Sequence, residues 1–213
     1  MRRDLRKDCV TAGQTPQGEP MTPDILLALI SFAFVTSVTP GPNNLMLMAS
    51  GMNFGWRASV PHALGVSWGF AVMAIVTGLG LGAVLMALPW LMGALKLMAV
   101  AYMLWLAWKI AMAGAPGEAK AGRPMGFVAA AAFQWVNPKA WAMALGANAS
   151  YAAGGGWAVV WVGLIFALVN LPTVSLWVLA GERLRGILSG PWARAVNIGL
   201  ALALVASMLP VLR

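Results

Sequence analysis

The chain has 213 residues, 61% of them hydrophobic and 9% charged, with a mean hydropathy of +0.79. A soluble domain carries about 25% charged residues, so this composition cannot clothe a water-facing surface. The formal net charge of +8 comes with basic residues set between apolar runs, a pattern that orients a membrane protein and does not build a nucleic-acid face.

Residues 1–20 are polar, with no apolar periodicity and no hydrophobic segment of a signal peptide. Two readings compete: a disordered tail, or an extension upstream of a natural start at Met21. The second is preferred, because Thr22 can cap a helix, Pro23 fits its first position and Asp24 complements its dipole. Cys9 is the only cysteine and His62 the only histidine, so the chain cannot form a disulfide framework or a multi-cysteine or multi-histidine metal site. No cofactor is expected.

Apolar runs follow at 24–50, 61–88, 91–112, 125–150, 156–180 and 193–211. Each reaches the roughly 20 residues that a helix needs to cross a bilayer. The expectation is an all-α polytopic protein of six transmembrane helices, one domain over 21–213. Trp56, Trp90, Trp157 and Trp192 lie beside the breaks, where amphipathic rings favour the headgroup zone. Basic residues follow the first, third and fifth runs: Arg57; Lys109, Lys120 and Arg123; Arg183, Arg185 and Arg194. Those connections are therefore expected on the cytoplasmic side. The basic residues of the tail oppose this orientation unless translation starts at Met21.

A cut near Ala119 leaves halves of about 21–118 and 119–213 with three runs each. An odd number inverts the second half, the construction by which many secondary transporters expose one central site to each side in turn. The first run is interrupted by Thr39-Pro40-Gly41-Pro42-Asn43-Asn44, and its counterpart, the fourth, by Gln134-Trp135-Val136-Asn137-Pro138-Lys139. Each proline removes a donor and displaces the carbonyl four residues earlier, at Thr36, Val38 and Gln134. Those groups need new partners where there is no water. The half-helices that restart carry free amides suited to a carboxylate, and Asn43 and Asn44 add neutral donors and acceptors. Lys139 places an ammonium group in an apolar run at a cost between about 2.5 and more than 10 kcal/mol, so it should face a cavity or a partner. The competing reading is that the prolines only kink two helices for packing.

Asn170, Pro172 and Thr173 mark a similar interruption in the fifth run, and Asn148 and Asn197 lie near helix ends. His62, beside Pro61 at a helix start, reads as interfacial; with Lys139 and Asp24 it is also a candidate for proton coupling. Gly51-Gly55, Gly65-Gly69 and Gly78-Gly82 have the spacing of close helix packing. Gly65-Val66-Ser67-Trp68-Gly69 matches a nucleophile elbow, but that motif needs a strand before its serine. An intramembrane hydrolase using Ser67 and His62 is one rival class, and an assembly factor without a solute path is another.

From Met21 to Arg213 the sequence resembles the LysE/RhtB family of amino-acid exporters. The marks are Thr39 to Asn44, Asn137-Pro138-Lys139, the stretch from His62 to Phe70, the stretch from Ala101 to Ile110, and Asn197-Ile198-Gly199-Leu200. The resemblance implies a six-helix inner-membrane exporter of amino acids or close derivatives, driven by the proton gradient and often a homodimer. Many members carry Asp where Asn43 stands, which removes one candidate coupling site. The wording of Pro40 to Asn44 is nearest the cysteine and O-acetylserine branch, which makes small neutral amino acids the first expectation.

Overall fold

The computed structural model describes residues 21–112, 123–152, 155–187 and 191–209, and every regular element among them is helical. The polar tail, with Cys9, and the loop holding Glu118 and Lys120 lie outside the described residues.

Helix α1 (Pro23–Val38) opens as its sequence dictates: Thr22 Oγ1 accepts from the Ile25 amide at 3.3 Å, with Pro23 and Asp24 in the first turn. It stops where Pro40 and Pro42 withhold amides, and α2 (Pro42–Phe54) restarts at an angle of 56°. Gly55, at φ 83°, turns the chain into α3 (Trp56–Val76), whose first amide donates to Glu182 Oε1 at 2.9 Å. A π-turn, Thr77–Leu81, with Gly80 at φ 129°, joins α3 to the short α4 (Gly82–Ala87). The π-turn has no counterpart in the sequence pattern. Helix α5 (Pro89–Ala111) takes Pro89 in its first turn.

The second half repeats the first break. Helix α6 (Phe127–Phe133) passes through a 3₁₀ turn, Gln134–Val136, into α7 (Pro138–Tyr151). Helices α8 (Trp157–Ile187) and α9 (Pro191–Ala206) complete the described chain. Among the described residues three stretches are long and apolar enough to cross a membrane alone: Trp56–Ala87, Pro89–Ala111 and Trp157–Arg185. The bent pair of α1 and α2 qualifies as a fourth, while Phe127–Val136 and Trp192–Ala206 are shorter apolar helices. Trp90, Trp157 and Trp192 stand exposed beside helix starts, whereas Trp56 is half-buried.

Three expectations are corrected. The fifth run is not interrupted: α8 continues through Pro172. The carbonyl that loses its amide partner to Pro172 is that of Leu168; nearby, Thr173 Oγ1 donates to the Val169 carbonyl and Ser175 Oγ to that of Leu171, both at 2.7 Å. His62 is not at a helix start, because α3 begins at Trp56 and carries Pro61 internally, leaving His62 buried. Asn197 lies within α9, fully buried, and its Oδ1 accepts from Asn53 Nδ2 at 3.2 Å.

Helix α8 is the axle, packed on α1, α2 and α3, while α5 pairs with α9 and α3 with α6. Glycines set the closest crossings. A Cβ at Gly51 would strike the Val178 carbonyl, one at Gly181 the Met48 carbonyl, and one at Gly65 that of Phe127. Backbones this close gain dispersion contact without help from water. Gly51→Val should lower the unfolding midpoint of the detergent-solubilised protein by roughly 5 °C, since overpacking costs about 1–3 kcal/mol. Gly199→Ala, with open space around its Cβ, should leave the midpoint unchanged; equal midpoints for both variants would contradict the crossing.

Candidate functional site

The two breaks lie against each other. Asn43, on the first turn of α2, and Gln134, at the end of α6, form a reciprocal amide pair: Asn43 Nδ2 donates to Gln134 Oε1 at 2.8 Å, and Gln134 Nε2 donates to Asn43 Oδ1 at 3.2 Å. Lys139, on the first turn of α7, reaches back across the first break. Its Nζ donates to the Thr39 carbonyl at 2.7 Å and to Thr39 Oγ1 at 2.8 Å. These contacts tie the first half of the chain to the second at 91 and 100 residues' separation.

Carbonyls freed at the breaks find partners nearby, those of Thr36 and Gln134 among them. Thr39 Oγ1 donates to the Thr36 carbonyl at 2.9 Å, and Asn44 Nδ2 donates to the carbonyls of Ser37 and Thr39, each at 2.8 Å. Asn44 is buried and turned toward backbone. In the second break the Asn137 amide donates to the Gln134 carbonyl at 3.2 Å, and Asn137 Oδ1 caps α7 by accepting from the Lys139 amide at 3.1 Å. Gly41, the N-cap of α2, supplies no such side chain, so the positive end of α2 stays open to a ligand.

Gly41 also makes room for the lysine. A Cβ there would lie 2.7 Å from Lys139 Cδ and 3.1 Å from its Nζ. Pro40, Gly41, Pro42, Pro138 and Lys139 share the wall of a cavity of about 560 Å³ that continues along α5 past Met92, Lys96 and Ala99. Ligand cavities run from about 300 to 1,000 Å³. The polar gap directly between the breaks is far smaller, about 20 Å³, and is walled by Asn43, Asn44, Asn137, Lys139 and Asn170 among others. It has room for about one water. A solute larger than a few atoms therefore has space only beside the breaks, in the larger cavity.

Of the other expected site residues, Asn170 reaches the small gap, while Thr173 is buried and spends its hydroxyl on its own helix. Asp24 is exposed at the far end of α1, 15 residues before the break and so roughly 22 Å away. His62 faces a second cavity, of about 600 Å³, and neither ring nitrogen has a partner among the described residues. Ser67 lies inside α3, five residues beyond His62 and on another face of the same helix. No strand precedes it, and the geometry of a nucleophile elbow is missing.

Two residues were not singled out in the sequence. Gln134 carries the pair with Asn43, and Lys96 lines the 560 Å³ cavity. Lys96 gave the same signal as Lys139, a lysine within an apolar run. In the sequence Gln134 is marked only for its displaced carbonyl, and its side chain gives no signal.

Apolar helices, two apposed breaks and a cavity beside them are the parts of a helical membrane transporter. The LysE type translocator family model matches residues 34–209, and the chain belongs to that family. It is a translocator, not an enzyme, which removes the Ser67 hydrolase. The chain is 32% identical over 189 residues to a cysteine/O-acetylserine efflux protein of Salmonella choleraesuis (strain SC-B67), covering 87% of this chain and 96% of the relative. It is 31% identical to a protein of the same description from Escherichia coli (strain K12), over the same shares of both chains. No solved structure matches it.

Replacing Asn43 or Gln134 singly by Ala strands a polar partner and should cost about 1–3 kcal/mol. The double variant should cost less than the sum, which a thermal double-mutant cycle reads out. Strict additivity would mean that the pair does not couple the halves.

Proposed function

We propose that this protein exports small neutral amino acids or their derivatives across the inner membrane, as the names of its relatives suggest for them. The observation that carries the proposal is the pair of breaks, held together by Asn43–Gln134 and Lys139–Thr39, beside a cavity of ligand size. The substrate's carboxylate takes the Lys139 ammonium and the open end of α2, displacing Thr39 from Lys139. The proline-bounded turns are the natural hinges, and rocking of one half against the other changes which side reaches the cavity.

In this reading the helices form six spans as two inverted halves, with the breaks in the first and fourth. The corresponding positions of those breaks support it. The connections after the first, third and fifth spans face the cytoplasm, supported by Arg57, Lys109, Arg123, Arg183 and Arg185. The export is coupled to protons, and Lys139 and His62, each facing one of the two large cavities, are the candidate coupling groups. Asn44, Asn137 and Asn170 hold the breaks and the small gap between them in shape; Thr173 supports α8.

Purified protein in vesicles should catalyse counterflow of O-acetylserine. Lys139→Met should reduce it at least about tenfold, the scale of one lost charge-assisted hydrogen bond, while still inserting and migrating as a folded protein. Gly41→Val, which displaces the lysine, should act in the same direction, and Ser67→Ala should transport normally. Undiminished counterflow in the folded Lys139→Met protein would end the proposal for this site.

A further inference from the structure

Helix α5 lines both large cavities, one after the other along its length. Met92, Lys96 and Ala99 face the 560 Å³ chamber, and Tyr102, Leu106 and Lys109 face the 600 Å³ one. Steps of three and four residues place these six in a stripe on one side of the helix, and Trp105, Trp108 and Ile110 extend the wall of the second chamber around it. The chambers therefore lie in series along α5. Between them Tyr102 meets Phe133 at 5.4 Å between ring centroids.

The charges along this stripe have one sign. Lys96 and Lys139 line the first chamber, Lys109 and Arg123 the second, and no carboxylate lines either among the described residues. The described carboxylates are elsewhere: Asp24 at the start of α1, and Glu182 accepting from the Trp56 amide. Lys109 and Arg123 also serve as orienting charge at one end of the bundle. Lys96 has no such role, because it precedes Lys109 by 13 residues, roughly 20 Å along α5, toward the end whose next connection upstream, Pro89-Trp90, carries no basic residue. A lysine in that position within an apolar helix needs another reason, and the chamber it lines supplies one.

We propose that the α5 stripe is the solute path and that its cations form a charge filter, with Lys96 a binding residue for a second negative group on the solute. The filter admits amino acids of zero or negative net charge and rejects cationic ones. The inference rests on the exporter reading above and adds to it the substrate's charge class and a residue outside the breaks. A zwitterion can present its carboxylate to these ammonium groups, and an acidic side chain gains a second contact at Lys96. A cationic side chain meets uncompensated like charge at close range, where low dielectric weakens screening.

The test is competition against O-acetylserine counterflow in vesicles of the full chain, with serine, aspartate and ornithine as competitors of similar size. Ornithine should compete at least about tenfold more weakly than serine, the scale of one like-charge contact at intermediate dielectric. Lys96→Gln should weaken aspartate selectively and narrow the gap to ornithine. Lys96→Arg should preserve the wild-type order, and Lys96→Glu should reverse it. A lysine that merely extends to the membrane surface would leave the order of competitors unmoved in all three variants. Wild-type ornithine competing as well as serine, or an unchanged order in Lys96→Gln and Lys96→Glu, overturns the charge filter while the exporter stands. Absence of O-acetylserine counterflow from the folded wild type overturns the exporter reading itself.

Discussion

A backbone amide or carbonyl left without a partner in hydrocarbon costs several kcal/mol, and the Thr39–Asn44 and Gln134–Lys139 breaks exist only because that cost is met locally. Asn44 closes two carbonyls of the first break, Thr39 a third, and Asn137 caps the restart of the second. Lys139 adds a charged donor that belongs to one break but serves the other. The bonds that make irregular backbone tolerable are the same ones that bring the two halves into contact. Pro172 gives the comparison: α8 continues through it, and no break forms there.

This arrangement separates holding from binding. Asn44 and Asn137 are committed to backbone, and Asn43 to Gln134, so these amides keep the breaks in shape. The groups free to exchange partners are the Lys139 ammonium and the uncapped start of α2. Both lie against the chamber that has the volume of a small solute. Gly41 belongs to this group for a steric reason, since any side chain there would meet Lys139. Asn43 is neutral where a carboxylate would introduce a negative charge, and that neutrality permits a reciprocal amide pair.

Tight crossings elsewhere give the breaks a rigid frame. Glycines 51 and 181 let α2 and α8 approach to backbone contact, and Gly65 and Gly69 do so for α3 and α6. The two chambers lie along α5, whose exposed side chains include Leu97, Trp105 and Trp108, the two tryptophans also lining the 600 Å³ chamber. Helix α5 itself is held mainly through α9.

The amino-acid order alone determined the apolar runs, the positions of both proline breaks and the start of α1, because these depend on local chemistry: a missing amide, a cap, a length of hydrocarbon. It also singled out Lys139, since an ammonium group in an apolar run is conspicuous wherever the helix sits. Lys96, exposed on α5, carries the same signal of a lysine in an apolar run, and only the packing shows that it borders the 560 Å³ chamber. Tertiary structure decided what depends on neighbours distant in sequence. That Asn43 meets Gln134, that Lys139 crosses to Thr39 and that His62 is buried all follow from which helices touch. The central gap, with room for about one water, moved the proposed substrate from between the breaks to beside them. Only packed side chains define that volume, so no motif spacing could have revealed it.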